Sequence, residues 1–225
     1  MKRVVVILAA LLILSSAVRA SELTCLQSKK SNRPVPYPYD FAVAAHRTQL
    51  EQLPSTAGVL LIGDSHAHLW PGNLWEGLTA HHAALAGDLI EHVLWRLHSP
   101  QWQTLQPANV ILVVGTNNLA RGDCAFAIIE GIAALLSQAK RLWPNSRLFF
   151  VGIPPRDMQG PLRPAERIAI NAILGSHLTT KNVHFVDAER LLGYPRFDQV
   201  HYPPEAYRAL MPDILPLLAE NPLPR

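Results

Sequence analysis

Cysteine is scarce in this chain. Two occur in 225 residues, Cys25 and Cys124, which excludes a disulfide scaffold and any cysteine-rich metal module. Charge is sparse too, at 16% of residues. Of 20 lysines and arginines, Lys2, Arg3 and Arg19 lie at the amino terminus, leaving 17 basic against 17 acidic side chains. No basic stripe remains, so nucleic acid is excluded as a partner. No apolar run after the first twenty or so residues is long enough to cross a bilayer. Internal repeats, low-complexity tracts and signs of a second domain are also missing. Histidines cluster at His66, His68, His81 and His82, but their spacing does not put two rings on one helical face. No glutamate or cysteine set completes a site, so no metal is expected.

What is present begins with a leader. Lys2 and Arg3 precede the unbroken apolar residues Val4 to Leu14, and Val18-Arg19-Ala20 fits a small-residue cleavage site. Residues 1–20 therefore read as a signal peptide, with an uncleaved anchor as the alternative. The expected product is a soluble bacterial protein, periplasmic or secreted, with no stable membrane anchor. In an oxidising compartment Cys25 and Cys124 are candidates for a disulfide between the amino-terminal segment and a loop after a central strand. Two unpaired thiols are the alternative. Residues 21–39, which include Arg33-Pro34-Val35-Pro36-Tyr37-Pro38, read as an extended arm. Residues 40–225 read as one domain, large enough for a sizeable core at 49% hydrophobic content.

Within that domain, apolar runs alternate with helical patterns. Strands are expected at 58–62, 82–86, 109–114, 147–153 and 182–186. Helices are expected at about 40–53, 68–80, 88–98, 123–142, 164–179 and 204–219. Continuous aliphatic runs separated by helices require a parallel sheet covered on both faces. Right-handed crossovers then give an α/β fold, a three-layer α/β/α sandwich. Ligands in such sheets bind beyond the carboxyl ends of the strands. Ser65, Gly87 and Asn117 all fall just after expected strands.

Three short stretches there fit acyl transfer. Gly63-Asp64-Ser65 offers a hydroxyl at a strand end. Asp198-Gln199-Val200-His201 puts a carboxylate three residues from an imidazole. A serine hydroxyl needs a base within hydrogen-bond reach, and a carboxylate fixes the tautomer of that base. The set is Ser65 as nucleophile, His201 as base and Asp198 as its partner. Backbone N–H groups of Ser65 and Gly87, with the side-chain amide of Asn117 in Gly115-Thr116-Asn117-Asn118, make a candidate oxyanion hole. Asp187 reads instead as a cap for the turn from Ala188. Trp95 is expected in the core, and Arg96 in solvent or pairing helices.

With those residues in view, the chain resembles the SGNH, or GDSL-type, hydrolases. Within them it is most similar to the catalytic subunits of the intracellular platelet-activating-factor acetylhydrolases. The resemblance rests on Leu61-Ile62-Gly63-Asp64-Ser65 and on Gly87-Asp88 followed by His92-Val93-Leu94-Trp95-Arg96-Leu97. It extends through Val113-Val114-Gly115-Thr116-Asn117-Asn118 and the turn from Asp198 to His201. It implies a flavodoxin-like sheet of five parallel strands, catalysis without cofactor, the roles named above and a possible homodimer. Leu89 and Ile90 replace threonines common in the family, and His66 stands where the acetylhydrolases usually carry a hydrophobic residue.

His66, Thr116 and Val200 each adjoin a catalytic candidate and are expected to line the substrate pocket. His66 is placed at the pocket mouth or simply in solvent. Crowding on the acyl side would restrict the enzyme to short acyl groups, such as acetyl esters of small molecules, lipids or carbohydrates. Two alternatives are an O-acyltransferase acting on envelope polysaccharide with the same residues and a non-catalytic binding module.

Overall fold

The computed structural model describes residues 31–156, 164–178 and 183–218. The leader, Cys25 and the start of the arm lie outside the described residues. Five strands form one sheet: β1 (Thr56–Gly63), β2 (Ala80–His82), β3 (Gln106–Val113), β4 (Arg147–Val151) and β5 (Val183–Val186). Their order is β2-β1-β3-β4-β5, and every pairing is parallel. This is the flavodoxin-like order, with its topological switch between β1 and β3. Among the described residues, six α-helices accompany the sheet: α1 (Asp40–Glu51), α2 (Ser65–His68), α3 (Ile90–Arg96), α4 (Thr116–Arg121), α5 (Ala125–Leu142) and α6 (Pro164–His177).

The strands are apolar on both sides because both sides are covered. Leu60, Ile62, Val110, Leu112, Leu148 and Phe150 pack with Val93 and Leu97, with Ile128 and Ile132 of α5, and with Ile170 and Leu174 of α6. The alternate residues Val59, Leu61, Ile111, Val113, Phe149 and Val151 pack on the opposite face with Trp70, Trp75, Tyr202, Tyr207 and Leu210. Period-two alternation sorts one strand's residues between two cores. Each buried Leu, Ile or Phe contributes about 1.5–3 kcal/mol relative to exposure.

Three elements differ from the sequence expectation. The helix expected at 68–80 is only α2 and a 3-10 turn at Gly72–Leu74. Pro71 lacks an N–H, and Glu76 and Gly77 adopt positive φ, so the helix cannot continue. The helix expected at 204–219 is two 3-10 segments, Pro204–Asp213 and Leu215–Leu217. Pro212 and Pro216 remove donors that a continuous α-helix needs there. The second strand begins at Ala80 instead of residue 82. Its ladder continues as Ala83 N–H to Leu61 O and Leu85 N–H to Gly63 O.

Candidate active site

Register decides where the site forms. Gly63, the last residue of β1, pairs with Val113, the last residue of β3, so the segments that follow emerge side by side. The approach is so close that a Cβ at Gly63 would lie 1.8 Å from the Val113 carbonyl oxygen, at a φ of +145. Only glycine fits. Asp64 then donates its N–H to Val113 O at 2.9 Å, and its Oδ1 accepts from the His66 N–H at 3.0 Å. This caps α2 and makes Ser65 its first residue.

The imidazole reaches Ser65 from the far end of the chain. His201 Nε2 lies 2.7 Å from Ser65 Oγ, and His201 Nδ1 lies 2.5 Å from Asp198 Oδ2. The other carboxylate oxygen of Asp198 accepts from the N–H groups of Val200 at 3.1 Å and His201 at 2.8 Å. Gln199 takes a φ of 71 to close that turn. A positive φ outside glycine is uncommon, and tight turns account for many instances. His201 lies between two rings: Phe197 is stacked at 5.8 Å between centroids, and His66 lies 5.5 Å away.

The rim opposite is built around a buried ion pair. Gly87 has a φ of +83, and a Cβ there would meet Tyr37 Oη at 2.6 Å, so the arm packs directly against this glycine. Asn117 Nδ2 donates to the Asp88 carbonyl at 2.9 Å, which fixes the amide and leaves its second hydrogen for another acceptor. Arg96 donates from Nε at 3.0 Å and from Nη2 at 2.5 Å to Asp88 Oδ2. It also donates from Nη1 to Ala83 O at 2.6 Å and from Nη2 to Gly63 O at 3.4 Å. One guanidinium thus ties the residue before Asp64-Ser65, the end of β2 and the residue after Gly87. The expectation of a solvated Arg96 and a core Trp95 is corrected: Arg96 is 1% exposed and Trp95 only half-buried. Asp88 and two carbonyls accept from this buried guanidinium.

A second network sits behind it and was not foreseen in the sequence. Asn118 accepts the Ile90 N–H at 2.9 Å. It donates to Glu91 and to Asp123, each at 3.0 Å. Ser31 of the arm donates to Asp123 at 2.9 Å, and Arg121 pairs with Glu91 and Asp123. The signal available was only a second asparagine after Asn117 and an aspartate beside Cys124.

The three pocket candidates part company. Thr116 is buried, with an unpartnered Oγ1, and Val200 is half-buried. His66 is neither at an open mouth nor in solvent: it is 1% exposed, against His201 and Tyr202. Asp187 caps the turn from Ala188 by accepting the Glu189 N–H at 3.0 Å. Cys124 is disulfide-bonded, while Cys25 lies outside the described residues. Among the described residues, no group of three His, Cys, Asp or Glu side chains is placed to hold a metal ion.

Electrostatics separates the acids. Slight desolvation pushes Asp198 up, but hydrogen bonds from His201 and Val200 outweigh it and hold the carboxyl at about 2, so it is charged through the neutral range. Burial lifts Asp64 to about 8, opposed by the His66 N–H and reinforced by Asp88. Burial lifts Asp88 to about 6 against the pull of Arg96. Burial, with His201 nearby, lowers His66 to about 3 and keeps its ring neutral.

A doubly wound parallel sheet with these groups at the carboxyl ends of its strands defines a carboxylic ester hydrolase of the α/β sandwich type. The model of the GDSL-like lipase/acylhydrolase family matches residues 55–209, and the chain belongs to that family. It is similar to platelet-activating factor acetylhydrolase IB subunit alpha1 of Rattus norvegicus, 28% identical over 195 residues, 78% of this chain and 83% of the relative. The alpha2 subunit of Gallus gallus is 30% identical over 184 residues, 73% and 79% of the two chains. Among solved structures, a GDSL-like lipase from Bacteroides thetaiotaomicron superposes with a TM-score of 0.62 at 18% identity, covering 77% of this chain and 96% of that one. A carbohydrate esterase family 3 protein from Talaromyces cellulolyticus gives 0.55 at 19% identity, covering 70% and 94%.

Proposed function

We propose that the protein is an exported serine ester hydrolase that removes short acyl groups from oxygen through a covalent acyl-enzyme. The observation that carries this is the unbroken chain Ser65 Oγ, His201 Nε2, His201 Nδ1, Asp198 Oδ2. Ser65 Oγ attacks the ester carbonyl carbon as its proton passes to His201 Nε2. The carbonyl oxygen becomes an oxyanion facing the N–H groups of Ser65 and Gly87 and the free amide hydrogen of Asn117. Each such donor lowers the barrier by about 3–4 kcal/mol. The C–O bond to the alcohol then breaks, and His201 returns the proton to the departing oxygen. Water repeats the sequence on the acyl-serine and restores the free hydroxyl. Asp198, already ionised, steadies the imidazolium in both halves.

Short acyl groups follow from crowding. His66, Thr116 and Val200 adjoin the catalytic residues, and the first two are buried. Acetyl groups on sugars or lipids are the substrates in view, in line with the names borne by similar proteins. Export rests on the leader at 1–20 and draws support from the disulfide-bonded state of Cys124, which suits an oxidising compartment.

The deciding experiment compares wild type with Ser65→Ala on p-nitrophenyl esters from acetate to decanoate. Turnover should vanish in the variant with the melting temperature retained. Hydrolysis near the wild-type rate would end the serine reading, and a rate maximum at long chains would end the short-acyl reading. Cell fractionation tests export, with a cytoplasmic location as the contrary result.

A further inference from the structure

We propose that Phe197 forms the wall on which the alcohol half of the substrate rests, and that the enzyme prefers esters whose alcohol carries a six-membered ring, aromatic or pyranose. This builds on the proposed roles of Ser65 and His201. Large apolar side chains are normally withdrawn from water, yet Phe197 is 64% exposed. Its place is specific. The ring stacks on His201 with 24° between planes and 5.8 Å between centroids, and the Phe197 N–H donates to His201 O at 3.1 Å. The other neighbour of the imidazole, His66, is buried. Phe197 is therefore the solvent-facing ring beside the proton donor.

The chemistry assigns that side to the alcohol. When the tetrahedral intermediate collapses, the departing oxygen must lie within hydrogen-bond reach of His201 Nε2 to take its proton. The oxyanion points elsewhere, toward Gly87 and Asn117. Groups attached to the departing oxygen therefore extend past the imidazole, on which the exposed Phe197 ring is stacked. Rings meet aromatic faces in offset or edge contacts that small alkyl groups cannot match.

The test uses Phe197→Ala, Phe197→Trp and wild type with three acetyl esters: ethyl acetate, phenyl acetate and a methyl glucoside acetylated at its primary hydroxyl. Each variant is expressed as a ratio to wild type, so the reactivity of each ester cancels. Phe197 is exposed, so removing it leaves the core untouched. Phe197→Ala should lower kcat/KM by about three- to ten-fold for at least one ring-bearing ester. Ethyl acetate should lose less than that ring-bearing ester, and Phe197→Trp should close the gap between them. A fall confined to phenyl acetate identifies aryl alcohols; one confined to the glucoside identifies sugars. Equal ratios on all three esters, or no change, would overturn the proposal, since Phe197 would then act only through His201 or not at all. Ser65→Ala run in parallel separates the two levels. Turnover retained there defeats the serine reading itself, whereas equal Phe197→Ala ratios with Ser65→Ala inactive defeat only the ring preference.

Discussion

Arg96 donates twice to one oxygen of Asp88, at 3.0 and 2.5 Å, with both side chains sealed from solvent. The same guanidinium reaches Gly63 O and Ala83 O, and the carbonyl of Asp88 holds Asn117. The pair therefore sets the distance between the loop that carries Ser65 and the loop that carries Gly87.

Removing one partner leaves an uncompensated buried charge. Arg96→Met should destabilise the fold by about 3–5 kcal/mol, measured by chemical denaturation. Replacing both, as Arg96→Met with Asp88→Leu, should recover much of that stability. The kcat of the double variant should nevertheless stay at least about ten-fold below wild type, with KM little changed, because the proposed oxyanion donors have lost their common anchor. Recovery of kcat along with stability would reduce the pair to packing.

Asp198 is held ionised by its turn and fixes the His201 tautomer. Asp198→Asn should lower kcat by about 10³–10⁴-fold. Steady-state kinetics on p-nitrophenyl acetate check this, and circular dichroism should show the fold intact because the residue is exposed.

Asp64 gives a signed dependence on pH. Burial raises its pKa in the folded protein to about 8, above the unfolded value, so the folded state holds the proton more firmly. Its contribution to stability is full in acid and lost as pH rises from about 4 to 8. Asp64→Asn cannot ionise and can still accept the His66 N–H. The variant should therefore gain stability relative to wild type as pH rises through that window, by at most about 1.4 kcal/mol per pH unit. Urea titrations at several pH values measure the difference; a constant difference would contradict the assignment.

Gly131 records how tightly the arm is docked. A Cβ there would lie 2.7 Å from the Ser31 carbonyl oxygen. Alanine improves the helix by about 1 kcal/mol in isolation, yet Gly131→Ala should lower the melting temperature and speed limited proteolysis of the arm. An unchanged or raised melting temperature would mean the arm yields freely.

Much of this was legible in the chain. The aliphatic runs revealed strands buried on both faces, because period and composition depend on local burial. The family residues around Ser65, Asn117 and His201 were legible because each is marked by glycine, asparagine or aspartate in a fixed local turn. The helices expected at 68–80 and 204–219 do not form because apolar periodicity does not override Pro71, Pro212 and Pro216. His66 was misplaced because a histidine beside a nucleophile looks polar, and nothing local reveals that Tyr202 and His201 close over it.

By itself the sequence determined the sheet, its order of chemistry-bearing turns and the chemical types of the reacting groups, since these rest on short-range pattern. Only the tertiary structure decided that Arg96 is an internal clamp, that Ser31 and Tyr37 of the arm meet Asp123 and Gly87, and that Phe197 lies on His201. The physical reason is range. Burial and pairing of a charge or an aromatic ring depend on residues tens of positions away, and those meet only when β1, β2 and β3 align in register.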